Sequence, residues 1–291
     1  MRVLIVGCGY VGLPLGAALA KEGHEVTGIR RTHSAQNELR AAGVEPLIAD
    51  ITEAEALAKL PVGYDWVVNC VSSSHGGADD YRRVYLHGMR NLVEWLAAAP
   101  IRKFVYTSST SVYGQTDGSI VTEASAAEPP GETPQILVEA ENALLEAAQQ
   151  REFPAVILRV AGIYGPERGH WFKQYLRGEA VIEGQGERIL NMIHRDDVVG
   201  AIIVALKSGR PGEIYNAADD EPVTQLKFFQ WLSTRLRRDL PPYEIEHQES
   251  ARKRAATNKR VSNLKLKREL GYCFKYPDFR QGYEGEIRLK P

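Results

Sequence analysis

The sequence predicts an α/β protein built on a doubly wound parallel sheet of about six or seven strands, followed by a smaller mixed lobe. Short apolar, β-rich runs alternate with amphipathic segments as far as Val160. Strand–helix–strand repetition of this kind needs right-handed crossovers and therefore makes neighbouring strands parallel. A glycine cluster, Gly7-Cys8-Gly9-Tyr10-Val11-Gly12, stands at the first strand-to-helix junction. After Val160 the alternation gives way to a loop rich in glycine and proline.

Strands are read over Arg2–Val6, Glu25–Ile29, Val44–Ala49, Asp65–Cys70, Lys103–Thr107 and Ala155–Val160. They are short and apolar, often without clean alternation, as strands covered on both faces are. Helices are read between them over Val11–Lys21, Ser34–Ala42, Glu53–Lys59, Ala78–Ala98 and Pro134–Gln150. Gly23 and Gly43 fall where two of those helices stop, a position that favours a left-handed backbone. Gly162, Gly165, Pro166 and Gly169 follow, then Gly184 and Gly186, then Pro241-Pro242. The expected division is a sheet domain over 1–165, to which segments of about 188–217 return, and a C-terminal lobe over 166–291 packed against the strand ends, where ligands sit in such sheets.

Composition narrows the function. Acidic and basic residues nearly cancel, 37 against 36, so charge gives no reason to expect nucleic acid or an anionic membrane as partner. Cys8, Cys70 and Cys273 are far apart and lack His or Cys neighbours at metal spacing. That argues against a disulfide framework and a zinc site, and fits a reducing compartment. The first apolar stretch, Val3–Val6, is too short for a signal peptide, and no later run has the length of a membrane span. The expectation is a soluble cytoplasmic protein without a metal.

The glycine cluster has the spacing GxGxxG, follows a strand and opens a helix, the context that gives the pattern meaning. Gly7 permits the tight turn, Gly9 lets backbone approach a pyrophosphate, and Gly12 allows close packing of helix on strand. Tyr10 and Val11 lie in the same loop, and Pro14 falls in the first helical turn, where a missing N–H does no harm. A dinucleotide is therefore expected at the helix N-terminus. About 20 residues further on, an acid would bind the 2′-hydroxyl of NAD, whereas arginine suits the 2′-phosphate of NADP. Here the second strand ends in Arg30-Arg31, with no acid. NADP is the expected cofactor, with NAD second. Asp50 and Ile51 after the third strand, and Cys70, Val71 and Ser72 after the fourth, complete the expected cofactor set.

Further along, Tyr106-Thr107-Ser108-Ser109-Thr110-Ser111-Val112-Tyr113-Gly114 resembles the SS-x-x-VYG segment of extended short-chain dehydrogenase/reductases, the NAD(P)-dependent epimerase/dehydratase group. Leu158–Pro166, Ile193–Val198 and Gly212–Asn216 resemble three later motifs of the same group, in the same order. The resemblance implies a small C-terminal substrate lobe and a dimer through two long helices, here about 78–98 and 134–150. It also implies a serine beside the nicotinamide, matched by Ser109. Three departures stand out. The Tyr-x-x-x-Lys pair of the group falls on Thr133 and Leu137, counted back from Glu141, and 122–152 holds neither tyrosine nor lysine. Tyr85 replaces a usual asparagine, and the glycine loop is the shorter form.

Without that pair, other groups are candidates for the chemistry. Ser109 would orient the substrate oxygen, Tyr113 offers a phenol, and His75 lies in a serine- and glycine-rich loop after the fourth strand. Ser111, Tyr164 and Arg260 are expected at the substrate. Arg260 belongs to a run over Ala251–Leu270 with eight lysines and arginines, read either as a solvated face or as a clamp for an anionic small molecule such as a nucleotide sugar. His194 and Asp196-Asp197 read as a helix entry capped by carboxylate. Tyr85 and His87 are two apart on a helix, so only one can face the cleft. Two functions remain open: an oxidoreductase or epimerase/dehydratase-like enzyme with a non-standard acid/base, and a non-catalytic NADP(H)-binding redox sensor or regulatory protein.

Overall fold

The computed structural model describes residues 1–73, 76–243 and 257–288. Seven parallel strands form the central sheet: β1 (Arg2–Val6), β2 (Glu25–Arg30), β3 (Val44–Ile48), β4 (Trp66–Asn69), β5 (Lys103–Ser109), β6 (Ala155–Val160) and β7 (Ile214–Ala217). Their order is β7-β6-β5-β4-β1-β2-β3, so the chain reverses direction beside β1. That reversal opens a crevice above the strand ends, the usual ligand position in open sheets. Successive strand residues serve two cores, which is why the strands show no polar alternation. Val3 and Ile5 pack with helices α1 (Gly12–Lys21) and α8 (Arg195–Ser208), near Leu15, Leu19 and Ile202. Leu4 and Val6 pack on the other face with Leu92, Trp95 and Leu144.

The remaining helices of the sheet domain are α2 (Gln36–Ala41), α3 (Ala54–Leu57), α4 (Ala78–Tyr81), α5 (Gly88–Leu96) and α6 (Glu132–Arg151). The single helix expected over Ala78–Ala98 is interrupted: a π-helical segment, Arg82–His87, joins α4 to α5. A π turn carries one extra residue. It lets Val84, Leu86 and Met89 stay in the core while Tyr85 reaches the crevice. α6 begins ahead of Pro134, which occupies the first turn, where no intrahelical N–H is required. Its outer face and that of the π segment and α5 carry the ion pairs Arg82–Glu139 and Arg151–Glu94, at 2.7 and 3.2 Å. The large exposed apolar residues lie elsewhere, so this face is polar.

A smaller lobe forms from α7 (His170–Arg177), α9 (Gln225–Leu236) and α11 (Phe279–Arg288), with short strand pairs, while α10 (Leu264–Leu270) returns to the sheet domain, where Leu266 and Leu270 join the core beside Tyr215 and α8. Its own core is aromatic: Tyr164, Phe172, Tyr175, Phe228, Phe229, Phe279 and Tyr283 cluster together. The entry to α8 differs from expectation. The cap is His194, whose Nδ1 accepts the Asp196 N–H at 3.1 Å, rather than a carboxylate. Burial holds the His194 imidazole down at about 4, so it is neutral and able to accept. Asp197 instead turns inward and accepts from the Tyr272 hydroxyl and the Lys275 and Tyr276 N–H groups at 2.8, 2.6 and 2.9 Å, pinning the C-terminal segment.

Beside this lobe Asp219 is almost wholly buried, and its Oδ2 has no hydrogen-bond partner among the described residues. Burial pushes its carboxyl well above the usual carboxylate range, with Asp278 and Glu221 adding to the shift. A raised folded-state value stabilises the fold below the unfolded value near 4 and loses that contribution as pH rises through the window above it. Asp219→Asn, which mimics the neutral acid, should therefore raise the melting temperature at pH 8 by several degrees and change it little near pH 4. Thermal unfolding at the two pH values checks this, and an equal shift at both would show that ionisation plays no part.

Candidate cofactor groove and adjoining cleft

Above β1, β2 and β4 lies a groove of about 600 Å³, lined by Gly7, Gly9, Tyr10, Val11, Arg30, Arg31, Asp50, Ile51, Cys70, Val71 and Ser72 among others. The glycines are geometric necessities. Gly7 has φ +86°, and a Cβ there would lie 2.7 Å from the Val71 backbone. A Cβ on Gly12 would lie 2.6 Å from the Gly7 carbonyl oxygen, so any side chain would force helix from strand. No side chain caps α1 and no acid occupies its first turn; the Leu13 N–H is taken by the Gly9 carbonyl at 2.8 Å and Pro14 has none, so it is the N–H groups of the turn at Tyr10–Gly12 that are left for an anion.

At the β2 end Arg30 folds back over this loop. Its Nη1 donates to the Cys8 carbonyl at 2.8 Å and lies 3.5 Å from where a Gly9 Cβ would stand. Asp50 Oδ1 accepts the Thr52 N–H at 2.9 Å, so the residue shapes the turn after β3 while still lining the groove. The Tyr10 hydroxyl donates to the Pro166 carbonyl at 3.0 Å, and the Arg168 guanidinium stacks 4.2 Å over its ring. Arg168 also lines the groove, a cation near the glycine turn that the sequence reading missed because it sits in the irregular loop after β6. Burial pushes the Cys8 thiol up to about 12 and raises Cys70 as well. Both thiols stay neutral and poorly nucleophilic.

Where β5 ends, the groove meets a second cleft of about 570 Å³ between sheet domain and lobe. Ser109 and Ser111 line both spaces. Ser109 Oγ accepts the Ser111 N–H at 3.1 Å and keeps its own proton to donate. Thr133 lines the cleft and Leu137 the groove, so α6 presents a hydroxyl and an aliphatic side chain there. Tyr85 fills the groove wall opposite, its hydroxyl accepting the Ser73 N–H at 3.1 Å, while His87 is exposed. Tyr164 lines the cleft with its hydroxyl donating to the Asp278 carbonyl at 3.3 Å and its ring stacked on Tyr283.

Two expected site residues are corrected. Tyr113 is fully buried and lines neither space. Its hydroxyl donates to Asn216 Oδ1 at 2.7 Å and accepts from Arg159 Nη1 at 3.0 Å, in a network that runs on to Glu141 and Ser108. That phenol is structural. Arg260 also lines neither space; its Nη1 donates to the Gly118 carbonyl. One residue earlier the backbone sends Lys259 into the cleft, Nζ donating to the Tyr113 carbonyl at 2.6 Å and to Thr257 Oγ1 at 3.1 Å. Burial, with Arg188 nearby, brings its ammonium down to about 8. His75 and the basic triplet Arg252-Lys253-Arg254 lie outside the described residues. Among the described residues there is no group of three or more His, Cys, Asp or Glu placed to hold a metal ion, and no helix is long and apolar enough to cross a membrane.

A glycine cradle at the end of the first of seven parallel strands defines a dinucleotide-binding Rossmann protein. The sequence model of the NAD dependent epimerase/dehydratase family matches residues 3–218, and the chain belongs to that family. Protein YeeZ of Escherichia coli (strain K12) is 30% identical over 288 residues, spanning 95% of this chain and 97% of that protein. Among solved structures, a double mutant of the dTDP-glucose 4,6-dehydratase DesIV from Streptomyces venezuelae, with NAD and DAU bound, superposes with TM-score 0.85 at 22% identity, covering 99% of this chain and 96% of that one. UDP-glucuronic acid 4-epimerase from Bacillus cereus, in complex with UDP-glucuronic acid and NAD, gives TM-score 0.82 at 20% identity over 99% and 98% of the chains. At such identities these two show the shared fold.

Proposed function

We propose that the protein is an NADP(H)-dependent oxidoreductase or epimerase/dehydratase-like enzyme acting on a small carbonyl, hydroxyl or sugar-type substrate. One observation carries the choice of an enzyme over a sensor: the cofactor groove opens at Ser109 into a second cleft of comparable volume, about 600 against 570 Å³. A sensor needs no such space beside the cofactor, and the Cys8 and Cys70 thiols are held neutral and poorly nucleophilic. The cradle of Gly7, Gly9 and Gly12, with the uncapped start of α1, fits a pyrophosphate, and Arg168 adds charge beside it. Arg30, held over the loop by the Cys8 carbonyl, and Arg31 suit a 2′-phosphate, and no carboxylate at the end of β2 competes for a 2′-hydroxyl. The bound cofactor supplies hydride exchange at its nicotinamide C4. Ser109 donates to the substrate oxygen and holds it in place. Lys259, with Arg188 across the same cleft, favours a substrate bearing an anionic group.

Ser109→Ala is expected to lower kcat of NADPH oxidation by roughly 100-fold while NADPH affinity, read by calorimetry, stays unchanged. Unchanged turnover would remove Ser109 from the mechanism.

A further inference from the structure

The proposed reaction needs a proton donor that neither α6 nor Tyr113 supplies. An oxygen gaining or losing hydrogen changes charge in the transition state, and a positioned acid or base typically contributes a factor of about 10²–10⁴. Four described residues, Tyr81, Ser109, Ser111 and Ile163, line both the groove and the cleft and so mark where cofactor and substrate would meet. Tyr81 is the one titratable side chain among them. Its phenol is also unspent: it makes no hydrogen bond with any described residue, whereas Tyr85, Tyr113 and Tyr164 all have theirs committed. The ring is held in place rather than free to swing. It packs against Tyr85, centroids 4.9 Å apart, and against Leu86, Ile136 and Ala140 between α4, the π segment and α6. It is the last residue of α4, directly ahead of the π turn, and such turns recur at functional sites.

We propose that Tyr81 is the catalytic acid/base of this enzyme, working from the helix packed beside α6 and paired with Ser109. This rests on the enzymatic reading above. In the reducing direction the carbonyl π pair withdraws onto oxygen as the carbon takes up hydride. The Tyr81 O–H bond breaks, its proton forms the product O–H bond, and water in the open cleft returns a proton to the phenolate. In the oxidising direction the phenolate takes the hydroxyl proton, the carbon's C–H bond breaks with its hydride passing to the oxidised cofactor, and the C=O bond forms. Ser109 hydrogen-bonds the same oxygen in both directions.

Two readouts test it. Tetranitromethane treatment followed by peptide mass mapping should nitrate Tyr81 in the free protein and leave it unmodified when NADP⁺ is present. No modification of Tyr81, or equal modification with NADP⁺ demonstrably bound, overturns the placement. NADPH oxidation is then followed with benzaldehyde, pyruvate and a 4-keto nucleotide sugar as probes. Tyr81→Phe should lower kcat by about 100-fold or more on whichever probe the wild type accepts, with NADPH affinity within about twofold. Full activity in Tyr81→Phe overturns the proposal, as does loss of activity in His75→Asn instead. A wild type that binds NADPH but turns over no probe removes the enzymatic reading, and the proposal with it; nitration and kinetics thus separate the two failures.

Discussion

Replacing Arg159 by leucine is expected to cost about 3–5 kcal/mol of folding stability, the usual penalty for stranding one half of a buried ion pair. Arg159 and Glu141 meet at 2.6 Å with 5% and 1% of their side chains exposed. The guanidinium also holds the Tyr113 hydroxyl and lies 4.9 Å over its ring. After the substitution Glu141 would keep only the Ser108 hydroxyl as partner, and a buried carboxylate with one donor cannot be solvated. Domain stabilities of about 5–15 kcal/mol leave little margin for such a loss. The double variant Arg159→Leu/Glu141→Leu removes both charges and should recover much of it. Urea denaturation of the single and double variants reads both values. A single variant within about 1 kcal/mol of wild type would mean that the pair contributes no more than a surface bridge does.

Gly7→Ala is the second large effect, and it falls on binding as well as stability. The left-handed φ of +86° costs an alanine about 1–2 kcal/mol, and the added methyl meets backbone atoms of Cys70 and Val71 at 2.7–2.8 Å that no rotamer change can move. Relief requires the loop to shift away from β4, which lifts the N–H groups at the start of α1 from the place a pyrophosphate would occupy. NADPH affinity should fall by about 100-fold or more, equivalent to roughly 2.7 kcal/mol. Calorimetry on the folded variant, with the fold confirmed by circular dichroism, measures it. Retained affinity would show that the phosphates do not lie on this turn.

The sheet was readable because its central strands β1, β4 and β6 are buried on both faces, which leaves unbroken apolar runs such as Val3–Val6 and Ala155–Leu158. The short pairs were not. Ile120–Val121 with Arg260–Val261, and Gly162–Tyr164 with Met192–His194, are two or three residues long and are joined across long stretches of chain, so no period announces them. The π segment was equally hidden, since its apolar positions also fit a continuous helix. In the site, the glycine loop was legible because all of its constraints are local. Tyr113 was misplaced because a single 3-10 turn, Thr110–Val112, decides whether it faces the cleft or the core. Lys259 and Arg260 differ by one residue, and extended backbone sends neighbours to opposite sides. Tyr81 did carry a signal: it precedes Tyr85 by four residues, the spacing that places two side chains on one helix face.

We propose above that this groove holds NADP(H) and that Arg30 and Arg31 bind its 2′-phosphate. Titrating the purified protein with NADPH and NADH side by side tests it most directly. NADPH should bind at least about tenfold more tightly, a gap of roughly 1.4 kcal/mol, and Arg30→Ala should close most of it. NADH binding as tightly as NADPH or more so would make the arginines surface charge, and binding of neither would contradict the cofactor site itself.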